Sequence, residues 1–250
     1  MSLLAVTDVT VRFGGLTALA EVSVLVEPGT VHGIIGPNGA GKTTLFNVIC
    51  GFTRPTSGSV AVRGKRLREH RPHHLAGLGI ARTLQGLGLF AHQSVLDNVL
   101  IGADRHSSAG VLGALLGRGA KQEAALRERA MAALASLGVD KHAHTLPAAL
   151  PYGLRKRVAL ARALVSDPDL LLLDEPAAGL SESERDELVG LIGGLRPEMA
   201  VVLVEHHMDL VMSVCEQITV LNFGRVIATG SPAAVQADPD VAEAYLGAAS

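Results

Sequence analysis

A chain of 250 residues has room for one large domain, or for one domain carrying an inserted lobe. Apolar residues make up 48% and charged residues 18%, which excludes a disordered chain and allows a sizeable core. Basic and acidic residues nearly cancel, 22 against 24, so the basic excess of a dedicated nucleic-acid binder is missing and no nucleic acid is expected as a partner.

The opening Met1-Ser2-Leu3-Leu4 lacks the basic start, apolar run and cleavage site of a signal peptide. Charges, prolines and glycine turns interrupt each apolar run before ~18 residues, so no transmembrane helix is expected. Cys50 and Cys215 lie far apart in apolar stretches and read as reduced core residues rather than a disulfide framework.

Residues 3–10 and 20–26 alternate loosely, as antiparallel or edge strands do, and the turn Glu27-Pro28-Gly29 closes them. Residues 31–35 form a short buried strand that runs into Gly36-Pro37-Asn38-Gly39-Ala40-Gly41-Lys42-Thr43-Thr44, and residues 45–50 continue as a helix. A turn at Thr56-Ser57-Gly58 precedes a strand over 59–63. From about 94 to 161 the pattern is helical; residues 120–137, with an Ala/Leu stripe between charged faces, form the clearest amphipathic helix. The Gly/Ala-rich stretch 107–119 reads as a loop or short helix. Strand patterns return at 170–173, 200–204 and 217–221, with a last strand at 226–229; residues 182–195 and 240–246 read as helices. The pattern predicts an α/β fold in which a parallel-sheet core receives a helical lobe.

Gly36-x4-Gly41-Lys42-Thr43 matches a phosphate-cradling loop. Glycines let backbone N–H groups turn inward and approach phosphate oxygens with no Cβ in the way. The helix that follows aims its N-terminal dipole at the same anion. Lys42 brings a positive charge to the β- and γ-phosphates, and Thr43 offers a hydroxyl to Mg²⁺. The run Leu170-Leu171-Leu172-Leu173-Asp174-Glu175 ends an apolar strand in two carboxylates. Alone this is a plain strand terminus; with a phosphate loop upstream, Asp174 fits the acid that holds Mg²⁺, and Glu175 the one that orients or deprotonates an attacking water. ATP and Mg²⁺ are therefore the expected ligands.

Further motifs in order resemble the ATPases of ABC transporters. Arg82-Thr83-Leu84-Gln85 followed by Leu89-Phe90 resembles the family's Q-loop. Leu150-Pro151-Tyr152-Gly153-Leu154-Arg155, leading into Val158-Ala159-Leu160-Ala161-Arg162, resembles its signature loop and helix. Val204-Glu205-His206-His207 resembles its switch strand, and Phe13 stands where an aromatic ring stacks on adenine. Singly, Gln85 reads equally as a surface residue, His206 as a strand-end histidine and Phe13 as core. The resemblance implies an α/β P-loop NTPase core with an antiparallel β subdomain, residues 1–86 and 162–250, and an inserted helical subdomain, residues 87–161. It implies catalytic roles for Glu175, His206 and Gln85, with Thr43, Gln85 and Asp174 at the metal. It implies nucleotide contacts from Phe13, Gly36, Pro37, Asn38, Gly39, Ala40, Gly41, Lys42, Thr43 and Thr44, and from Tyr152 and Gly153 toward the ATP of a facing subunit.

The stretches Gly79-Ile80-Ala81-Arg82-Thr83, Glu205-His206-His207-Met208-Asp209-Leu210 and Glu243-Ala244-Tyr245-Leu246-Gly247 look like the branch that serves branched-chain amino-acid, urea or amide importers. That resemblance implies membrane permease subunits, a second ATPase subunit of the same or another kind, an extracytoplasmic solute-binding protein, and a place on the inner face of the cell membrane. Two alternatives stand beside it: a mainly ATP-binding regulatory subunit of an unequal dimer, and an ABC ATPase without a membrane partner. The chain departs from the family pattern at Pro151, where the signature has serine, at Leu154, where it has glutamine, and at Ser181, where many relatives have aspartate. Pro151 offers neither hydroxyl nor N–H, so an unequal dimer is expected, with this chain giving its partner's ATP a weakened cap. The histidines at 70, 73, 74, 142 and 144 and the basic run 63–71 read as solvated turns.

Overall fold

A computed structural model describes residues 2–83, 86–103, 118–195 and 199–246. Two sheets organise it. In the smaller sheet β1 (Leu4–Phe13) pairs antiparallel with β2 (Leu16–Val26) and with β4 (Ser57–Val62), and β5 (Lys65–Leu67) closes the edge. The larger sheet has the order β10-β9-β3-β8-β7-β6, built from β3 (Val31–Ile35), β6 (Ile80–Arg82), β7 (Leu170–Asp174), β8 (Ala200–Val204), β9 (Gln217–Asn222) and β10 (Arg225–Gly230). Its strands run parallel except for the terminal β9–β10 hairpin.

The central strands β3, β7 and β8 are buried at every residue, which explains their unbroken apolar runs. Alternate side chains feed opposite layers. Leu170 and Leu172 join the layer under β1, β2, β4 and helix α1 (Lys42–Ile49), whereas Leu171 and Leu173 join the helical layer on the other face. Each such leucine removed from water contributes roughly 2 kcal/mol to the fold.

The helical layer holds α2 (Val95–Gly102), α3 (Arg118–Ser136) and α4 (Tyr152–Leu164), followed by α5 (Glu182–Leu195), α6 (Met208–Val214), α7 (Pro232–Gln236) and α8 (Pro239–Leu246). Ser94 caps α2 by accepting the Asp97 N–H. The buried Asn98 amide ties the preceding loop to that helix through the backbone of Phe90, Gln93 and Ser94. The amphipathic pattern of 120–137 corresponds to α3, and most of 107–119 lies outside the described residues.

Three differences from the sequence pattern have physical causes. Ser57 and Gly58, expected in a turn, belong to β4, where a register shift opposite β1 accommodates Gly58 at φ 87 against the Asp8 carbonyl. Helix α1 begins at Lys42 rather than 45, because Gly41 in the left-handed region ends the loop immediately before Lys42. The strands β5 and β6 hold three residues each, too few to register as a period. Both cysteines are buried, in different apolar layers. Among the described residues no helix is long and apolar enough to cross a membrane.

Candidate nucleotide site

Strand β3 ends at Ile35 and the chain turns at once into the glycine loop. Gly36 has φ +148, and a Cβ there would overlap the Leu221 carbonyl. Gly39 and Gly41 take φ +81 and +105, the latter against the Ala18 carbonyl of β2. These are conformations that side chains rarely adopt, so the glycines are required by geometry. Gly41 is the N-cap of α1 and has no side chain to give to the first-turn amides. Those donors and the positive end of the helix dipole therefore face whatever the loop encloses. The Lys42 ammonium lies 2.6 Å from the Gly36 carbonyl and 2.9 Å from that of Pro37, stretched along the loop. Burial lowers its pKa, and the nearby Glu175 charge opposes that shift. A glycine loop leading into a helix N-terminus, with one half-buried lysine, fits a polyphosphate, and the residues present meet that demand.

The carboxylates stand at the end of β7. Asp174 is 7% exposed and pairs with Arg82, Nη2 to Oδ2 at 2.7 Å; its N–H donates to Thr83 Oγ1 at 3.5 Å. Arg82 also donates to Asn47 of α1. Glu175 follows with φ 48. A non-glycine residue there costs of order 1–3 kcal/mol, a cost concentrated at functional sites. Its N–H is held by the Val204 carbonyl of β8, and its charge is felt at Lys42. The structure thus places Asp174 and Glu175 at the end of β7, one strand removed from β3 and the loop that carries Lys42.

At the end of β8, Glu205 is fully buried while His206 is half-exposed. Glu205 accepts the N–H groups of Ala177, His206 and His207 at 2.7, 2.9 and 3.2 Å, and its Oε2 lies 2.9 Å from His207 Nδ1. Burial pushes its pKa up, but the hydrogen bonds from His207, Ala177 and His206 outweigh that and hold it below the usual carboxylate value. Glu205, His206 and His207 have the spacing of a metal-binding group. Oε2 of Glu205 already receives three of these contacts, so a cation would have to displace them.

Phe13 is 54% exposed at the end of β1, on the sheet whose β2 meets Gly41. Tyr152 and Gly153 open α4 under Pro151; Tyr152 lies against Gly179 with Arg155 and Lys156 over its ring, and Gly153 abuts Glu184. Thr43 and Thr44 sit in the first turn of α1. Gln85 lies outside the described residues. His70 meets the Ile49 carbonyl and His73 packs edge-on against His74. Arg82, Lys156 and Glu205 also contact this region, and the sequence singles out none of them; for Glu205 a cue is present, a carboxylate ending an apolar strand just as Asp174 does.

A glycine loop between a buried parallel strand and a helix, with carboxylates ending another parallel strand of the same sheet, defines a P-loop NTPase. The profile of the family described as "ABC transporter" matches residues 19–178, and that of "Branched-chain amino acid ATP-binding cassette transporter" matches residues 225–250. The chain belongs to the ABC transporter family, among its ATP-binding cassettes. It is 39% identical to the high-affinity branched-chain amino acid transport ATP-binding protein BraF of Pseudomonas aeruginosa, over 99% of this chain and 98% of that one. It is also 39% identical to LivG of Escherichia coli, a protein of the same description, with the same coverage. A nucleotide-free ATP-binding cassette from an ABC transporter superposes with TM-score 0.86 at 30% identity, covering 98% of this chain and 99% of the other. The ADP conformation of such a cassette gives 0.84 at 30% identity, covering 99% of each.

Proposed function

We propose that this chain is the ATP-hydrolysing subunit of an importer for branched-chain amino acids or related small polar or amide solutes. The observation that carries the reading is the glycine loop that opens helix α1 at Lys42, with Gly36, Gly39 and Gly41 at positive φ, together with the Glu175 charge acting on that half-buried lysine. In this reading the loop from Gly36 to Thr44 holds the triphosphate of ATP, Lys42 neutralises its β- and γ-oxygens, and Phe13 stacks on adenine. Glu175 takes a proton from water as its oxygen bonds to the γ-phosphorus and the bond to the bridging oxygen of ADP breaks; His206 hydrogen-bonds the γ-phosphate. Magnesium, held by Thr43, Gln85 and Asp174, supplies positive charge to the β- and γ-oxygens when bound.

Residues 1–86 and 162–250 form the catalytic core of this reading, and residues 87–161 the helical lobe. The partners are two permease subunits, a second ATPase subunit and, through the permeases, a solute-binding protein. The chain works at the inner membrane face. Tyr152 and Gly153 contact the ATP of the facing subunit, and Pro151 weakens that contact.

ATPase activity of the chain, alone and with its permeases, tests this. Glu175→Gln should lower kcat by about 100-fold or more while ATP stays bound, and Lys42→Ala should abolish nucleotide binding. Normal turnover in Glu175→Gln removes Glu175 from the mechanism.

A further inference from the structure

We propose that Lys156 and Glu205 are positioning residues that clamp the turn bearing Glu175 from two sides, and that Glu205 ties this turn to the strand end bearing His206. The proposal rests on the reading of Glu175 as the hydrolytic carboxylate.

The turn leaves β7 with Glu175 at φ 48, a conformation that its own side chain disfavours, so outside contacts must hold it. Two of opposite charge do. From α4, the Lys156 ammonium donates to the carbonyls of Pro176 at 2.6 Å and of Glu175 at 3.3 Å. From the end of β8, the Glu205 carboxylate accepts the N–H of Ala177 at 2.7 Å. A cation takes the carbonyls and an anion takes the next amide, so both holds are charge-assisted. Glu205 is 0% exposed and the lysine is half-buried, so little water competes. Burial lowers the Lys156 pKa, and Glu205 and Glu175 both work against that shift.

The same carboxylate accepts the amides of His206 and His207 and meets the His207 ring. Glu205 is thus one acceptor shared by two segments 28 residues apart, one carrying Glu175 and the other His206. Lys156 belongs to α4, so a movement of that helix pulls directly on the carbonyls of Glu175 and Pro176. Both groups hold the backbone of the turn, Lys156 through two carbonyls and Glu205 through one amide.

The test compares the full-length chain with Glu205→Gln, Lys156→Met, Lys156→Arg and the double variant, with Glu175→Gln alongside. ATPase kcat and KM, affinity for a fluorescent ATP analogue and thermal midpoint are read for each. Glu205→Gln and Lys156→Met should each lower kcat about 10- to 100-fold, as misplacement of a reacting group does, with KM and analogue affinity within about twofold. Lys156→Arg should restore most of the rate. The double variant should lose less than the product of the single losses, because both groups hold one turn. Unchanged kcat per folded molecule in both variants, whether or not the midpoint falls, overturns the clamp while an inactive Glu175→Gln leaves the hydrolytic reading intact. An active Glu175→Gln overturns that reading itself. If Glu205→Gln does not fold, the kcat of Lys156→Met and its rescue by arginine decide alone.

Discussion

The guanidinium of Arg82 sits 2.7 Å from the Asp174 carboxylate, with the two side chains 11% and 7% exposed. Phe46 and Phe52 both lie 5.7 Å from the guanidinium carbon. Burial works against the arginine's charge, but the hydrogen bond to Asp174, the Asp174 charge and the neighbouring Cys50 together outweigh it, so its pKa is raised. Arg82→Met would leave a buried carboxylate without its cation, a change that costs roughly 3–5 kcal/mol. A divalent cation at Asp174 can replace that charge, so magnesium with ATP should recover more stability in the variant than in the wild type. Urea unfolding in EDTA and in magnesium-ATP measures both effects. Equal losses under the two conditions would count against a metal at Asp174.

The glycines of the loop separate geometry from chemistry. At Gly36, with φ +148, an added Cβ meets the Leu221 carbonyl, and a backbone carbonyl of β9, paired on both sides, cannot move aside cheaply. At Gly39, with φ +81, the space around an added Cβ is open. Gly39→Ala should therefore cost only the left-handed strain, about 1–2 kcal/mol. Gly36→Ala should cost at least about 3 kcal/mol or prevent folding. Chemical denaturation without nucleotide makes the comparison, and similar losses would show that the Gly36 contact is soft.

The parts of this protein legible in its sequence are those whose determinants are local. Residues 31–35 and 200–204 were bounded to the residue because a parallel strand covered on both faces is a closed apolar run. The glycine loop was legible because its backbone needs particular residue types at fixed spacing. Arg82 was not, because its importance comes from a carboxylate 92 residues away. Lys156 was hidden for a similar reason: on a helix surface it resembles any solvated lysine, and only the fold lays it on the carbonyls of Glu175 and Pro176.

Pro151 occupies the N-cap of α4 with φ −52 and ψ 156, and no side chain caps that helix. Ser94 and Ser231 stand at caps of nearly the same geometry, φ −62 and ψ 164, and φ −63 and ψ 159. Each accepts the N–H three residues on, at 3.1 and 3.3 Å. Serine at 151 should make the same bond, worth ~1 kcal/mol, partly offset by the freer unfolded chain that loses a proline, about 0.4–1 kcal/mol. Stability should hardly change. If the loop caps the facing subunit's ATP, the restored hydroxyl and N–H should raise homodimer ATPase about 10-fold, one hydrogen bond to a charged oxygen. A strong ATPase unchanged by Pro151→Ser would remove the unequal-dimer reading.

His32 lies on β3, 3% exposed, with Nε2 2.9 Å from Thr219 Oγ1 on β9, which in turn lies 3.3 Å from Thr229 Oγ1 on β10. Burial lowers its pKa from 6.5 to about 4. The unfolded chain then binds the proton more readily than the folded one between those values, so stability rises with pH across that window. The contribution is complete above pH 6.5 and is lost as pH falls toward 4; by pH 4.5 it amounts to about 2–3 kcal/mol. His32→Gln keeps a polar group beside Thr219 and carries no titrating proton. Urea unfolding of both proteins at pH 7.5 and 4.5 should therefore show the wild type losing about 2–3 kcal/mol more than the variant. Parallel losses would mean that a protonated His32 is tolerated within the sheet, and that acid sensitivity arises at other groups.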